Sequence, residues 1–247
     1  MSDYLPRIDI RCCKTTYIAA ENGHLECLKH AHDNGCEWHP KTTFVAAVRG
    51  HLECLKYVHK NGCEWHPDTT YGAARYRQLE CLRYAHVNGC KWHSETTYIA
   101  AEYGHLECLK YAHDNGCEWH PKTTSAAAGR GYLECLKYAH KNGCKWHPET
   151  TYDAVKYGHL ECLKYAHDNG CKWNSLNTWA AAWYGHLGCL VYIYKNCGDV
   201  ASWKNSGLEY SFDKFSKEIQ AYINSVREDW EAGLNKPGLR TKSAVKG

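Results

Sequence analysis

Long apolar runs are missing from this chain of 247 residues, and so are two of the residues that usually fill a large core: it has one methionine and three phenylalanines. No segment approaches the roughly 18 apolar residues of a membrane span, and the first residues, MSDYLPRIDI, hold no apolar stretch of signal-peptide length. A soluble, cytoplasmic protein that does not engage a membrane is expected. Alternating Val, Ile and Thr runs joined by two-residue turns are lacking too, which excludes a mainly β architecture. A strong excess of one charge is also absent. The net charge is +3, spread along the chain without the basic stripe of a nucleic-acid binder, so nucleic acid is not an expected partner.

What the chain has instead is repetition. The stretch Cys90–Gly116, CKWHSETTYIAAEYGHLECLKYAHDNG, returns every 27 residues without insertion or gap. Aligned on Cys-x-Trp, copies begin at Cys36, Cys63, Cys90, Cys117, Cys144 and Cys171, after a degenerate copy that begins near Asp9; seven copies cover 9–197. Residues 1–8 form a leader with Tyr4 and Leu5 free to pack on the first copy.

Each copy predicts two short helices. The first runs from about Ser94 to Tyr103 and ends at Gly104, which adopts positive φ without a Cβ penalty. A second begins at His105, where Leu106, Cys108, Leu109, Tyr111 and Ala112 give an apolar face at helical spacing, and stops at Asn115-Gly116. Glu107 and Lys110 lie on the solvated face as a pair worth a few tenths of a kcal/mol. One such hairpin cannot bury its own apolar face, so identical neighbours must stack on it and the fold is an all-α solenoid of seven helix-turn-helix units.

Local departures carry their own expectations. The recurring Trp38, Trp65, Trp92, Trp119, Trp146 and Trp173 are expected to pack between units. Pro40, Pro67, Pro121 and Pro148 suit a first helical turn, and Asn174 stands where His39 does in the second copy, which marks these histidines as polar caps. In the third copy Arg77-Gln78 replaces Gly-His; a non-glycine residue in a left-handed turn costs roughly 1 kcal/mol or more, and a local adjustment is expected. Beyond 198 the repeat is lost. Phe212, Phe215, Ile219, Tyr222, Ile223, Val226 and Trp230 predict an amphipathic helix over 211–230 that covers the last unit, within a region at 198–231, followed by a disordered basic tail at 232–247.

Sixteen cysteines and seventeen histidines raise disulfides and metal. Equivalent cysteines of neighbouring copies stand one helix-packing distance apart, about 8–10 Å, beyond the roughly 7 Å between Cα atoms that a disulfide allows. They read as small buried apolar residues. His32-x3-Cys36-x2-His39 and its copies could converge as a zinc-stapled module, but no fourth ligand is evident and the sixth turn carries Asn174; no cofactor and no metal is expected. A column repeated in every copy also argues against a catalytic centre, and the chain is read as no enzyme.

Ala46-Ala47, Gly50-His51-Leu52-Glu53, Leu55-Lys56 and Asn61-Gly62 resemble the core of an ankyrin repeat, and the cysteine- and tryptophan-containing copies are closer still to the short ankyrin-like repeats of giant DNA viruses. The resemblance implies an ankyrin-like stack, a protein partner (a host protein, if the chain is viral) and no catalysis. Ankyrin units run to 33 residues. The shortfall lies between Cys36 and Ala46, and Thr42-Thr43-Phe44 replaces the family's Thr-Pro-Leu-His, so little of the β-hairpin finger is expected. The two residues before each inter-helix turn vary freely, and in the family they face the concave groove. Here they supply Arg49, Arg75, Tyr76, Tyr103, Arg130, Tyr157, Trp183 and Tyr184, residue types that dominate interface hot spots, as a partner-binding set on a monomeric scaffold. A ubiquitin-ligase adaptor role, implied for some family members by a terminal F-box-like segment, finds no such pattern at either end.

Overall fold

Each copy folds as a helix hairpin because its two helices are punctuated by residues with positive φ and share one run of small apolar side chains. The computed structural model describes residues 15–174, 176–196 and 211–231. The leader, the eroded start of the first copy, Cys197 and the basic tail lie outside the described residues. The chain divides into two compact units, the first ending at His120 and the second beginning at Pro121. A repeat array has contacts only between neighbours, so any seam between copies can divide it.

The first unit holds four hairpins: α1 (Thr16–Asn22) with α2 (Leu25–Asp33), α3 (Thr42–Arg49) with α4 (Leu52–Lys60), α5 (Thr69–Arg75) with α6 (Leu79–Val87), and α7 (Thr96–Glu102) with α8 (Leu106–Asp114). The second holds α9 (Thr123–Gly129) with α10 (Leu133–Lys141), α11 (Thr150–Lys156) with α12 (Leu160–Asp168), and α13 (Asn177–Trp183) with α14 (Leu187–Asn196). A 3₁₀ turn at Phe212–Lys214 and α15 (Lys217–Glu231) follow. Among the described residues there is no strand, and the segment between α2 and α3, where an ankyrin finger would stand, is an extended turn. Within each unit, first helices pack on first helices and second on second.

The interior is built of small side chains. Ala46, Ala47, Ala73, Ala74, Ala100 and Ala101 are completely buried, as are Leu28, Leu55, Leu82 and Leu109. Alanine pairs let neighbouring first helices approach closely, and each leucine contributes about 1.5–3 kcal/mol by its burial. The cysteines fill the remaining gaps as free thiols, buried at every described position except Cys36. Burial pushes Cys54, Cys63, Cys90 and Cys108 up to about 11, so they stay protonated at neutral pH.

Copies are locked in register by a threonine. The hydroxyl of Thr43 donates to the carbonyl of Glu64 (3.3 Å) and accepts from the backbone N–H of His66 (3.0 Å), both in the next copy. Thr70 bonds Lys91 and His93 in the same way, and in the second unit Thr124 bonds Lys145 and His147. These threonines are fully buried. Each hydroxyl thus satisfies two backbone groups of a turn that would otherwise be left without partners.

A second ladder runs along the second helices. His59 stacks on Trp65 (ring centroids 4.5 Å apart), and its Nδ1 meets the hydroxyl of Tyr84, in the next copy, at 3.2 Å. The Trp65 indole N–H donates to the carbonyl of Asn88 at 3.0 Å. The tryptophans do join successive copies, yet at the half-buried rim instead of in the core, because the indole nitrogen has to reach a turn carbonyl.

The first helices end at glycines for two reasons. Gly158 adopts φ 78°, and a Cβ there would lie 2.6 Å from Nδ1 of His186, the ring that the next copy lays over it. Arg77 takes this place in the third copy and keeps the left-handed geometry, at φ 62°. Its turn keeps the usual bonds, Gln78 N–H to Ala73 at 2.8 Å and Leu79 N–H to Arg77 at 3.1 Å. The anticipated adjustment is therefore absent from the turn, and the backbone of Arg77 itself carries the strain.

The C-terminal helix begins at Lys217, later than its apolar pattern suggested, because Phe212–Lys214 forms a separate turn whose Phe212 and Phe215 carbonyls accept from the Gln220 amide at 3.1 and 3.0 Å. Ile219 and Ile223 are fully buried, and Tyr222 meets Tyr194 of α14 edge-on at 6.3 Å. Burial, reinforced by Tyr194, pushes the Tyr222 phenol up to about 12. Tyr222 of helix α15 thus touches α14 of the last hairpin.

Two substitutions test this account. Thr70→Val preserves shape but strands the Lys91 carbonyl and His93 N–H, and should lower unfolding free energy by about 1–3 kcal/mol in urea titrations. Arg77→Gly should raise it by about 0.5–1 kcal/mol by removing left-handed strain.

Candidate functional site

Side chains at the C-terminal ends of the first helices point away from the shared interior, and it is there that the copies differ. In the first unit Tyr76 is 51% exposed and Tyr103 39%. Arg75 joins them, its guanidinium 5.1 Å from the Tyr103 ring centroid and 5.7 Å from that of Tyr76. Arg49 is held instead in an ion pair with Glu21 at 3.0 Å.

The second unit carries a corresponding row. Tyr157, Trp183 and Tyr184 are all exposed large aromatics, and Arg130 is exposed at the end of α9. Trp183 stacks on Trp179 with centroids 5.0 Å apart, and Lys156 Nζ lies 5.2 Å from the Tyr157 centroid. Tyr157 stands beside Gly129, so the missing side chain there leaves one of its faces room against α9.

Several members of this surface were not among the residues singled out from sequence. Tyr71, Tyr152 and Trp179 sit one helical turn before the variable positions, and a spacing of four on a helix would have found them. Tyr132 is 41% exposed at a position held by histidine in other copies. Asp153 was also missed. It occupies a place taken by Val45, Gly72 and Ile99 in earlier copies, and its carboxyl is pushed up to about 6, chiefly by burial and further by Glu149, against the opposing pull of Lys156 and Lys122.

The histidine and cysteine columns are occupied with other work. Nδ1 of His59 faces Tyr84, Cys63 Sγ donates to the Glu64 carbonyl at 3.8 Å, and His66 Nδ1 accepts the Asp68 N–H at 3.2 Å. In the last turn Asn174 Oδ1 accepts the Leu176 N–H at 2.9 Å, the same bond two residues ahead; these side chains close the turn before each helix and are not the helix caps expected, since the N-cap residues of α5 and α13, Asp68 and Leu176, make no side-chain cap bond. Among the described residues no group of three His, Cys, Asp or Glu side chains is gathered as a metal site requires. The inter-helix histidines are structural as well: His105 Nε2 bonds the Arg75 carbonyl at 3.1 Å, and burial lowers its pKa, so it is neutral at pH 7. Among the described residues no helix is long and apolar enough to cross a membrane.

Asp153 supplies a pH test. Because its folded pKa lies above the ordinary 3.8, it favours folding when protonated, an effect complete below that value and lost as pH rises through about 6. Asp153→Asn should therefore stabilise the protein at pH 8 by about 1 kcal/mol, after allowance for solvent screening of a half-exposed group, with the gain vanishing near pH 4 in thermal melts.

No family model matches the chain, and no curated protein matches it in sequence. Among solved structures it is similar to the ankyrin repeat domain of human ASB11, with a TM-score of 0.59 and 17% identity over 72% of this chain and 97% of that one. The likeness establishes the fold: the hairpins of this chain are ankyrin-like helix pairs, built on a shorter repeat that shows no finger strands among the described residues.

Proposed function

We propose that the protein is a non-catalytic scaffold that binds a partner protein along the C-terminal ends of its first helices. One observation carries the reading. Large aromatic side chains stand more than a third exposed at these ends, at Tyr76, Tyr103, Tyr157, Trp183 and Tyr184, whereas the aromatic ladder on the second helices is half-buried and occupied with its neighbours. Exposed tyrosine, tryptophan and arginine on a rigid support contribute binding energy with little ordering cost. Arg49, Arg75 and Arg130 lie at the same ends. The opposite face, on the second helices, carries Glu53–Lys56, Glu107–Lys110 and Glu161–Lys164 pairs that neutralise one another.

The fold of the ASB11 domain supports the architecture of this scaffold, and the choice of surface rests on exposure and composition. Replacing Tyr76, Tyr103, Tyr157 and Trp183 together by alanine should weaken capture of a protein retained by the native chain by about 100-fold or more, with helical circular dichroism unchanged. Undiminished capture would rule this surface out, and a catalytic turnover by the native chain would overturn the non-catalytic reading.

A further inference from the structure

Arg75 differs from Arg49 and Arg83 of the first unit. Arg49 pairs with Glu21 at 3.0 Å, and Arg83 lies 3.9 Å from Glu80. Among the described residues Arg75 has no carboxylate partner; the groups that raise its pKa are the phenols of Tyr71, Tyr103 and Tyr76, opposed by burial. Its Nη1 donates to the Tyr71 hydroxyl at 3.1 Å, and its Nε–H is buried with no hydrogen-bond partner. A guanidinium fixed by one hydrogen bond and placed against two rings has given up part of its hydration and its rotamer freedom without gaining a counter-charge.

A second cation lies close by. Arg77 follows two residues on, held in its strained turn, and its charge reaches His105, the ring bonded to the Arg75 carbonyl. That ring is neutral at pH 7 and offers no negative charge. Tyr76 and Tyr103 stand exposed on either flank, so an incoming side chain meets apolar ring surface and a planar cation together. The second unit repeats part of this arrangement: Lys156 lies over Tyr157, and the groups raising its pKa are again phenols, those of Tyr157, Tyr184 and Tyr152.

We propose that Arg75, flanked by Tyr76 and Tyr103 and steadied by Tyr71, is the receptor for a carboxylate side chain on an acidic segment of the partner protein. This rests on the reading that the first-helix ends bind a protein, and it adds the chemistry of what they bind. With Nε–H buried and one Nη1–H given to Tyr71, the second Nη1–H and those of Nη2 remain to meet a carboxylate's two oxygens, and the flanking rings exclude water from that contact. Lysine lacks the fork and cannot replace it.

The test is selection of random-sequence displayed peptides on the full-length protein, followed by affinity measurement of the selected peptides on variants with unchanged circular dichroism. Selected peptides should be enriched in Asp and Glu, should bind about tenfold more weakly to Arg75→Gln and to Arg75→Lys, and should weaken as salt is raised. Neutral or basic selected peptides, or acidic ones indifferent to Arg75→Gln, would overturn the carboxylate receptor. If those peptides were still lost on Tyr103→Leu, the binding surface would stand without it. Indifference to both substitutions, or no selected peptide at all, would overturn the surface as well.

Discussion

One buried hydroxyl per copy sets the geometry on which the rest depends. In a chain of near-identical hairpins, hydrophobic burial favours stacking but does not distinguish one sliding position from another, since small apolar side chains slide past one another at little energetic difference. Thr43, Thr70, Thr124 and their equivalents remove that freedom by bonding both a carbonyl and an N–H in the turn of the next copy. A displaced neighbour would leave three polar groups buried without partners, a penalty large beside any gain from sliding. The His–Trp–Tyr contacts along the second helices apply the same constraint at the rim.

With the register fixed at both edges of each hairpin, the first-helix ends are presented on a rigid base. That rigidity allows a few variable side chains to act as a surface. It also explains why the chemistry-rich columns of histidine and cysteine do none: their polar atoms are committed to neighbouring copies or turns, and buried thiols with pKa values near 11 are neither nucleophiles nor ready metal ligands. Residues that repeat hold the stack together, and residues that escape the repeat face outward with capacity to spare. Asp153 is an exception in which an escape from the pattern falls on a half-buried position and carries a cost in its ionised form.

Much of the fold could be read from the sequence. The period of the copies, Gly104 and Gly116 as positive-φ stops, the helix pair that they end and the shortened finger region all follow from residue types with few conformational options. The turn bond of His39 was legible in part through one substitution, because a polar acceptor is common to His and Asn at that place, although it serves the turn and leaves the helix N-caps, Lys41 and Leu176, without a side-chain bond. The candidate surface was legible in part. Variation located Arg75, Tyr76 and Tyr103, but Tyr71, whose hydroxyl steadies the guanidinium, belongs to a position that is aromatic in most copies and so did not stand out.

The sequence by itself determined that the chain repeats, that each copy is a helix hairpin and where each helix stops, since these are consequences of periodicity and of backbone restrictions acting over a few residues. Tertiary structure alone decided what lies across the seams. Whether Thr43 bonds its own helix or the next turn, whether Arg75 meets a carboxylate or a pair of rings, and whether Arg77 bends its turn or bears the strain depend on groups more than twenty residues away or on the balance of forces around them. Such contacts are fixed by the distance and angle at which copies pack, which no short-range pattern encodes.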